Sequence, residues 1–220
     1  IAKRIPTILP PLTLKESLET TKIHSVSGNL GSASSLVFQR PFRSPHHTVS
    51  DVALVGGGTN PKPGEISLAH NGVLFLDELP EFKRSALEVL RQPLEDRNVT
   101  ISRSRVTVSF PCSFMMIASM NPCPCGYYNH PDKECVCASG IVQRYLNKIS
   151  GPLMDRIDLH VEVTPVPFKD ISANGEEESS EVIQKRVVKA RDIQLERFKD
   201  SDIYSNSQMS SKQMNKYCEI

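Results

Sequence analysis

The chain has 220 residues, a formal net charge of +1 at pH 7 and 39% hydrophobic residues. This near-neutral balance argues against a protein that attracts acidic partners through its overall charge, so any nucleic-acid site has to be a local basic patch. No run of about 18 apolar residues occurs, which argues against a membrane span, and without a signal-peptide pattern we expect a cytoplasmic protein.

Both ends of the sequence resemble interrupted helices. Ile1, Ile5 and Leu9 have helical spacing, and Pro10 and Pro11 then end the pattern. No capping residue precedes Ile1, and the chain stops after a helical pattern without a terminator. We therefore expect a fragment of a longer protein.

The first half of the chain combines helical and extended patterns. Residues 13–27 predict a helix, and residues 36–50 predict extended backbone, because each proline disfavours a helical conformation in the residue before it. Residues 51–70 contain a run of glycines and two prolines, which indicates a long excursion between short helical pieces. The continuous apolar run within residues 72–78 predicts a buried strand.

The second half completes an α/β pattern. Residues 80–94 predict a helix with one apolar face, residues 98–110 a hairpin with a basic tip, and residues 113–122 a second buried strand. Alternation over residues 156–163 predicts a third strand, and residues 181–198 predict the last clear helix. Two continuous apolar strands separated by a helix and a hairpin predict an α/β sandwich around a parallel or mixed sheet.

Two adjacent carboxylates, Asp77 and Glu78, follow the first buried strand. Charges in that position need compensation, which a magnesium ion with its phosphates would supply. An Asp after four apolar residues is the Walker B pattern, in which the Asp holds Mg²⁺ and the following Glu orients or deprotonates a water. The alternative is that the pair caps the next helix.

Asn121 ends the second buried strand and could position the same water. The alternative for Asn121 is an ordinary Asn-Pro turn. Arg156 stands at the mouth of the third predicted strand, where it suits an arginine finger that stabilises charge on a transferring phosphoryl group. The alternative for Arg156 is a salt bridge with Asp155 or Asp158.

Four of the six cysteines lie close together in the sequence. They form two C-x-C pairs separated by nine residues: Cys123, Cys125, Cys135 and Cys137. Four thiolates can close a tetrahedral Zn²⁺ site, which would anchor a loop that has few apolar residues. Disulfides and reduced thiols without a metal are the alternatives.

Basic residues occur in two stretches that could contact the phosphate backbone of DNA. Arg97, Arg103 and Arg105 belong to the predicted hairpin, and Lys62 lies in the glycine-rich excursion. The alternative is a solvated charged hairpin.

The neighbouring histidines His46 and His47 are expected to be structural or interface residues. Adjacent side chains on an extended segment point in opposite directions, so a shared metal ion is not expected.

Several longer stretches together resemble the AAA+ ATPases of the magnesium-chelatase-like group, and most closely the bacterial ComM (YifB) family. The stretches that carry the resemblance are residues 40–58, 61–82, 86–96, 118–128 and 150–163. Within them, "RSPHHT" and "NPCPCGYY" are peculiar to that family. The resemblance covers about residues 1–200.

The resemblance implies an αβα P-loop NTPase core, truncated at its N-terminus, over residues 1–168, with a linker and the start of a helical lid over residues 169–220. Asp77 and Glu78 would be the Walker B pair that binds Mg-ATP, and Asn121 would be the sensor-1 residue. Arg156 would act on the nucleotide of a neighbouring subunit. The glycine-rich stretch near 56–64 and the hairpin would face the pore of a homo-oligomeric ring, by resemblance a hexamer, that moves on DNA.

One motif of that family is absent from this sequence. The Walker A loop, G-x-x-x-x-G-K-[ST], does not occur. In the family this loop lies immediately before the helix that begins here at Ile1. We therefore expect the full protein to hydrolyse ATP, and this chain alone to bind ATP poorly or not at all. For the full protein, the leading hypothesis is branch migration in recombination and natural transformation. The rivals are a magnesium-chelatase subunit and a non-catalytic, zinc-stabilised scaffold.

Overall fold

The computed structural model describes residues 2–30, 36–102, 106–163, 166, 178–201 and 203–218. The chain divides into two units, one formed by residues 12–174 and the other by residues 3–11 with residues 175–220. None of the helices in the described ranges is long and apolar enough to cross a membrane.

The helices of the larger unit are short except for the first. They are α2 (Leu14–Ser27), α3 (Asp51–Val55), α4 (Glu65–Leu68), α5 (Arg84–Glu88), α6 (Arg91–Asp96), α7 (Ile141–Leu146) and α8 (Gly151–Met154). The predicted helix over 13–27 is confirmed, and a capping box between Thr13 and Glu16 begins it. Gly28, in the left-handed conformation, ends it. The single helix predicted over 80–94 is instead a 3₁₀ turn, α5 and part of α6.

A parallel three-stranded sheet carries the candidate site. The strands of the unit are β1 (Phe42–Arg43), β2 (Gly56–Gly57), β3 (Lys62–Pro63), β4 (Val73–Leu76), β5 (Asn98–Ser102), β6 (Thr107–Pro111) and β7 (Met115–Ala118). The order in the main sheet is β1-β4-β7, and both neighbours of β4 run parallel to it. The prediction of an α/β fold with a parallel sheet is therefore confirmed.

β4, the first of the two strands predicted to be buried, lies at the centre of this sheet. Val73, Leu74 and Leu76 are fully buried in β4. In β7, by contrast, Met115 is 45% exposed, because no further strand pairs with β7 within the described ranges. The continuous apolar run at β7 therefore did not distinguish a central strand from an edge strand.

Two antiparallel hairpins lie between the strands of this sheet in the sequence, one between β1 and β4 and the other between β4 and β7. β5 and β6 form the predicted hairpin, in which Val99 and Ile101 are buried in the core while Thr100 is exposed. β2 and β3 form a smaller hairpin inside the glycine-rich stretch. Gly56 is required there, because a Cβ at this position would lie 2.3 Å from the carbonyl oxygen of Lys62.

The third predicted strand is not formed. Residues 157–163 have no strand partner in the described part of the chain, and Leu159, Val161 and Val163 are each at least 80% exposed. Alternation of apolar and polar residues fits a strand, but a strand also requires a neighbour to complete its hydrogen bonds. The prediction was wrong for this structure for that reason.

The smaller unit is helical in its described part. α1 (Ile5–Ile8) contacts α9 (Ser180–Arg197), and α10 (Ser211–Tyr217) follows. The side-chain amide of Gln184 donates a hydrogen bond of 3.0 Å to the carbonyl oxygen of Leu9. Phe198 is buried and packs edge to face on Tyr217. The helices predicted over 1–9 and 181–198 are thus present.

Candidate nucleotide site and cysteine cluster

Asp77 and Ser119 meet where β4 and β7 end. The parallel register pairs Leu76 with Ala118, so the residues that follow the two strands lie side by side. The hydroxyl of Ser119 donates a hydrogen bond to Oδ1 of Asp77. The backbone N–H of Glu78 donates to the same oxygen at 3.0 Å. The contacts that the structure describes for this carboxylate therefore involve Oδ1 and leave Oδ2 available to a ligand.

Glu78 occupies a turn with an unusual backbone conformation. Its φ is 54°, in the left-handed region that residues other than glycine seldom adopt. The N–H of Leu79 donates to the carbonyl oxygen of Ser119 at 3.0 Å, which attaches the turn to the end of β7. The Glu78 side chain makes no capping hydrogen bond to the 3₁₀ turn Leu79–Glu81. Helix capping, the alternative from the sequence, therefore does not describe Glu78.

His47 contacts the carboxylate of Glu78 from the β1 side of the sheet. Its Nδ1 lies 3.3 Å from Oε2 of Glu78, and its ring packs edge to face on Phe82. The rings of His46 and His47 have centroids 4.0 Å apart. The expectation that they point in opposite directions was wrong, because His47 and Thr48 lie in a turn and not in an extended segment.

Asn121 follows the same sheet edge, two residues beyond Ser119, and is exposed. A backbone hydrogen bond joins Asn121 to the phenol of Tyr145, which is buried. Burial raises the pKa of this phenol, with Glu81 adding to the effect. The structure thus brings Asp77, Glu78 and the backbone of Asn121 to one edge of the sheet. Contact between the Asn121 side chain and the attacking water stays a prediction.

Arg156 follows α8 and is held by contacts of its own. Its guanidinium donates to the carboxylate of Glu95 on α6 and to the carbonyl oxygen of Pro152. The salt bridge of Arg156 is thus with Glu95, and not with Asp155 or Asp158, the partners named in the alternative to an arginine finger. The contacts that the structure describes for Arg156 do not include Asp77 or Glu78, and its action on the nucleotide of a neighbouring subunit stays a prediction.

The four residues predicted to contact DNA differ in exposure, and two of them lie outside the described residues. Lys62 is exposed on the small hairpin. Arg97 is half-buried where α6 passes into β5, and its burial lowers its pKa. Arg103 and Arg105 lie outside the described residues. Lys62 is the candidate whose exposure fits contact with a phosphate backbone.

The four clustered cysteines converge in space. Their sulfur atoms all lie within 4.8 Å of one another, and the group Cys123, Cys125, Cys135 and Cys137 is the cluster of possible metal ligands found in the described ranges. The thiols form no disulfide. The backbone N–H of Tyr127 is the largest of the influences that lower the pKa of the Cys125 thiol to about 6. His130, in the same loop, uses Nδ1 to accept hydrogen bonds from the N–H groups of Asp132 and Lys133.

Comparison with known proteins identifies the family of this chain. A family model described as magnesium chelatase, subunit ChlI, matches residues 1–171, and one described as the C-terminal part of that subunit matches residues 177–220. The chain belongs to the magnesium-chelatase-like AAA+ family. The resemblance that the sequence motifs indicated is therefore confirmed.

The curated relatives that are similar to this chain include proteins named YifB and ComM. The chain is 44% identical over 219 residues to protein YifB of Salmonella typhimurium, covering 99% of this chain and 42% of that protein. It is also 44% identical over 225 residues to competence protein ComM of Haemophilus influenzae, covering 100% of this chain and 42% of that protein. The chain thus spans less than half the length of these relatives.

A solved structure of NtrX from Brucella abortus in complex with ADP is 25% identical with a TM-score of 0.30, covering 36% of this chain and 19% of that chain. A TM-score this low does not support a shared fold or function. The family assignment depends on the family models instead.

Two residues of the candidate site were missed by sequence reasoning. Ser119 and His47 each contact one member of the Asp77–Glu78 pair. A serine that follows an apolar strand has no distinguishing pattern in the sequence. The signal for His47 was its place just beyond the first strand of the sheet, since ligands of such sheets bind beyond the carboxyl ends of the strands.

Proposed function

We propose that the protein to which this chain belongs hydrolyses ATP, with Asp77 and Glu78 as its Walker B pair. The observation that supports this most is the meeting of Asp77 with Ser119 where β4 and β7 end, with Glu78 in the next position. Carboxyl ends of adjacent parallel strands are where α/β sheets bind ligands. A carboxylate that two hydrogen bonds hold in that position is pre-organised to bind a metal ion.

The donor set fits a magnesium ion with its nucleotide. Asp77 would hold the ion or its water shell through Oδ2, since hydrogen bonds from Ser119 and Glu78 engage Oδ1. When bound, Mg²⁺ and the triphosphate supply the reacting phosphoryl group and neutralise charge on it. Glu78 orients a water and accepts its proton, and its 56% exposed side chain can reach solvent for that task.

Asn121 and Arg156 complete the proposed catalytic set. Asn121 lies at the same sheet edge and positions the water together with Glu78. Arg156 acts on the nucleotide of a neighbouring subunit after exchanging Glu95 for a phosphate oxygen. This role requires a homo-oligomer, for which we propose a ring, most simply a hexamer.

DNA is the proposed substrate of the motor. Support comes from the relative named competence protein ComM, matched over the whole of this chain. Lys62, and with it the sequence candidates Arg97, Arg103 and Arg105, would contact the phosphate backbone without reading sequence. The proposed activity of the full protein is branch migration during recombination and natural transformation.

A second candidate is the ATPase subunit of a magnesium chelatase. The observation that favours it is the description of the matching family model, magnesium chelatase subunit ChlI. Both candidates use the same Walker B pair, so they differ in what stimulates turnover. A non-catalytic scaffold is the third candidate, and it requires no turnover at all.

The test measures ATP turnover of the purified full-length protein alone, with linear duplex DNA and with a four-way DNA junction. The proposal expects turnover that is stimulated by DNA, most by the junction, and that Asp77→Asn abolishes. Turnover indifferent to DNA would favour the chelatase candidate. Absence of turnover in a well-folded oligomer that binds no ATP would favour the scaffold.

A further inference from the structure

We propose that Cys123, Cys125, Cys135 and Cys137 bind one zinc ion that fixes the loop between β7 and α7. These four residues are called the cysteine cluster below. The proposal is independent of the ATPase, because it concerns a site that the nucleotide chemistry does not use.

The distances between the sulfur atoms match a tetrahedral metal site. The sulfur of Cys123 lies 3.3 Å from that of Cys125 and 3.7 Å from that of Cys135, and the sulfurs of Cys125 and Cys135 are 3.6 Å apart. Four thiolates at about 2.3 Å from one zinc ion are about 3.8 Å from each other. A disulfide would require about 2.05 Å. The spacing therefore fits zinc far better than a covalent bond.

The backbone around the cluster supports thiolate ligands. Backbone hydrogen bonds reach Cys123 from Tyr128, and Cys125 from Tyr127 and Val136. The N–H of Gly126 donates to the carbonyl oxygen of Cys123 at 3.0 Å, and Gly126 has a φ of 83°, which a tight turn requires. Such outer hydrogen bonds orient metal ligands and stabilise their negative charge.

The loop between β7 and α7 has little apolar burial to stabilise it. Apart from Cys123, which is fully buried, residues 121–140 contain no buried side chain, and Val136 is 82% exposed. The segment between the two C-x-C pairs is ordered by local contacts, in which Lys133 lies 4.8 Å from the centre of the Tyr127 ring. A segment of this length without an apolar core requires another source of stability, and four metal bonds provide it.

Zinc is the metal that this donor set favours. An all-thiolate tetrahedral site suits Zn²⁺ or iron and disfavours Mg²⁺ and Ca²⁺, which prefer oxygen ligands. The site is closed by four protein ligands, which is the pattern of a structural zinc and not of a catalytic one.

The test uses full-length protein purified under reducing conditions without chelators or an affinity tag that binds metal. Elemental analysis is expected to find about one zinc per chain. Cys135→Ser is expected to lower zinc to below about a fifth of that value, whereas Cys218→Ser, a cysteine outside the cluster, keeps it. Replacement by Co²⁺ in the unmutated protein is expected to give the intense visible absorption of a tetrahedral thiolate site, which does not depend on the variant folding.

Alkylation with mass spectrometry distinguishes the alternatives in the same unmutated protein. Zinc ligands are expected to resist iodoacetamide until a strong chelator is added, without any reductant. Protection that only a reductant removes would show disulfides, and rapid alkylation without a chelator would show free thiols. Either result, or iron in place of zinc, would overturn the proposal.

Discussion

The hydroxyl of Ser119, at the end of β7, donates a hydrogen bond to the Asp77 carboxylate at the end of β4. This bond joins two strands through the side chain that is proposed to hold magnesium. It orients Asp77 so that one oxygen is used inside the protein and the other is available to a ligand.

Replacing Ser119 by alanine should therefore weaken magnesium-dependent turnover without unfolding the protein. A hydrogen bond to a charged group contributes about 1.5–3 kcal/mol, which corresponds to a loss of roughly 10- to 100-fold in kcat/KM. Steady-state ATPase assays of the full-length protein over a magnesium titration measure this, and Ser119→Thr should restore most of the activity. Ser113→Ala, before the opposite end of β7, is the matched control. Equal activity of Ser119→Ala and the control would remove Ser119 from this role.

The contact between His47 and Glu78 predicts a second effect on turnover. His47→Ala should lower kcat by about 3- to 10-fold with little change in KM, because the imidazole helps to place the proposed base and does not bind substrate. His160→Ala, which changes an exposed histidine that follows no strand of the sheet, should leave kcat unchanged. A rise in KM alone would mean that His47 serves nucleotide binding instead.

His70 predicts a pH dependence of stability. Burial lowers the pKa of His70, and the neighbouring Glu19, whose Oε2 is 3.5 Å from Nε2, opposes this only in part. The unfolded chain, with a histidine pKa of about 6.5, then binds more protons than the folded one below that pH. The contribution of His70 to stability is thus present above pH 6.5 and is lost as the pH falls towards the lowered value.

Urea unfolding between pH 7.5 and 5 measures this loss. His70→Gln keeps an acceptor for the N–H of Ser113, which His70 Nδ1 accepts at 3.0 Å, and should flatten the decline on acidification. His160→Gln should leave the decline as it is in the unmutated protein. A decline that is equally steep in His70→Gln would assign the effect to other groups.

The proposed role of Arg156 can be separated from its salt bridge with Glu95. Arg156→Ala should reduce turnover by about 10³-fold or more while ATP stays bound, as expected for an arginine finger. Oligomers that mix Arg156→Ala subunits with Glu78→Gln subunits should regain part of the activity, because some interfaces then contain an intact pair. Glu95→Gln controls for loss of the salt bridge and should retain turnover. No recovery in mixed oligomers would argue against action between subunits.

Lys62 provides the most accessible test of DNA contact. Lys62→Gln should weaken DNA binding similarly for different sequences and reduce its salt dependence by about one ion, because a phosphate contact releases about one counterion. Lys212→Gln, on α10, is the matched control. Unchanged affinity and salt dependence would remove Lys62 from the interface.

The sequence predicted the elements whose signals are local. The apolar run before Asp77, the alternation on both sides of residues 103–105 and the helical pattern over residues 13–27 are signals contained in short stretches, and all correspond to observed structure. The convergence of the cysteines was also expected, because two C-x-C pairs on one loop can meet without the rest of the fold.

Features that depend on the neighbours of a segment could not be predicted in this way. Residues 157–163 alternate like a strand but find no pairing partner in the described structure, and the apolar run of β7 lies at an edge. The contacts of Ser119 with Asp77 and of His47 with Glu78 join residues that are at least 31 positions apart in the sequence. Such contacts follow from the strand register, which local patterns do not contain.

The assignment of Glu78 as the catalytic base is tested by ATP turnover and ATP binding of the full-length Glu78→Gln protein, with Glu81→Gln as the control three residues away. We expect Glu78→Gln to lose at least about 100-fold in turnover while it still binds ATP, and Glu81→Gln to retain both. Turnover by Glu78→Gln at the level of the unmutated protein would show that Glu78 is not the base.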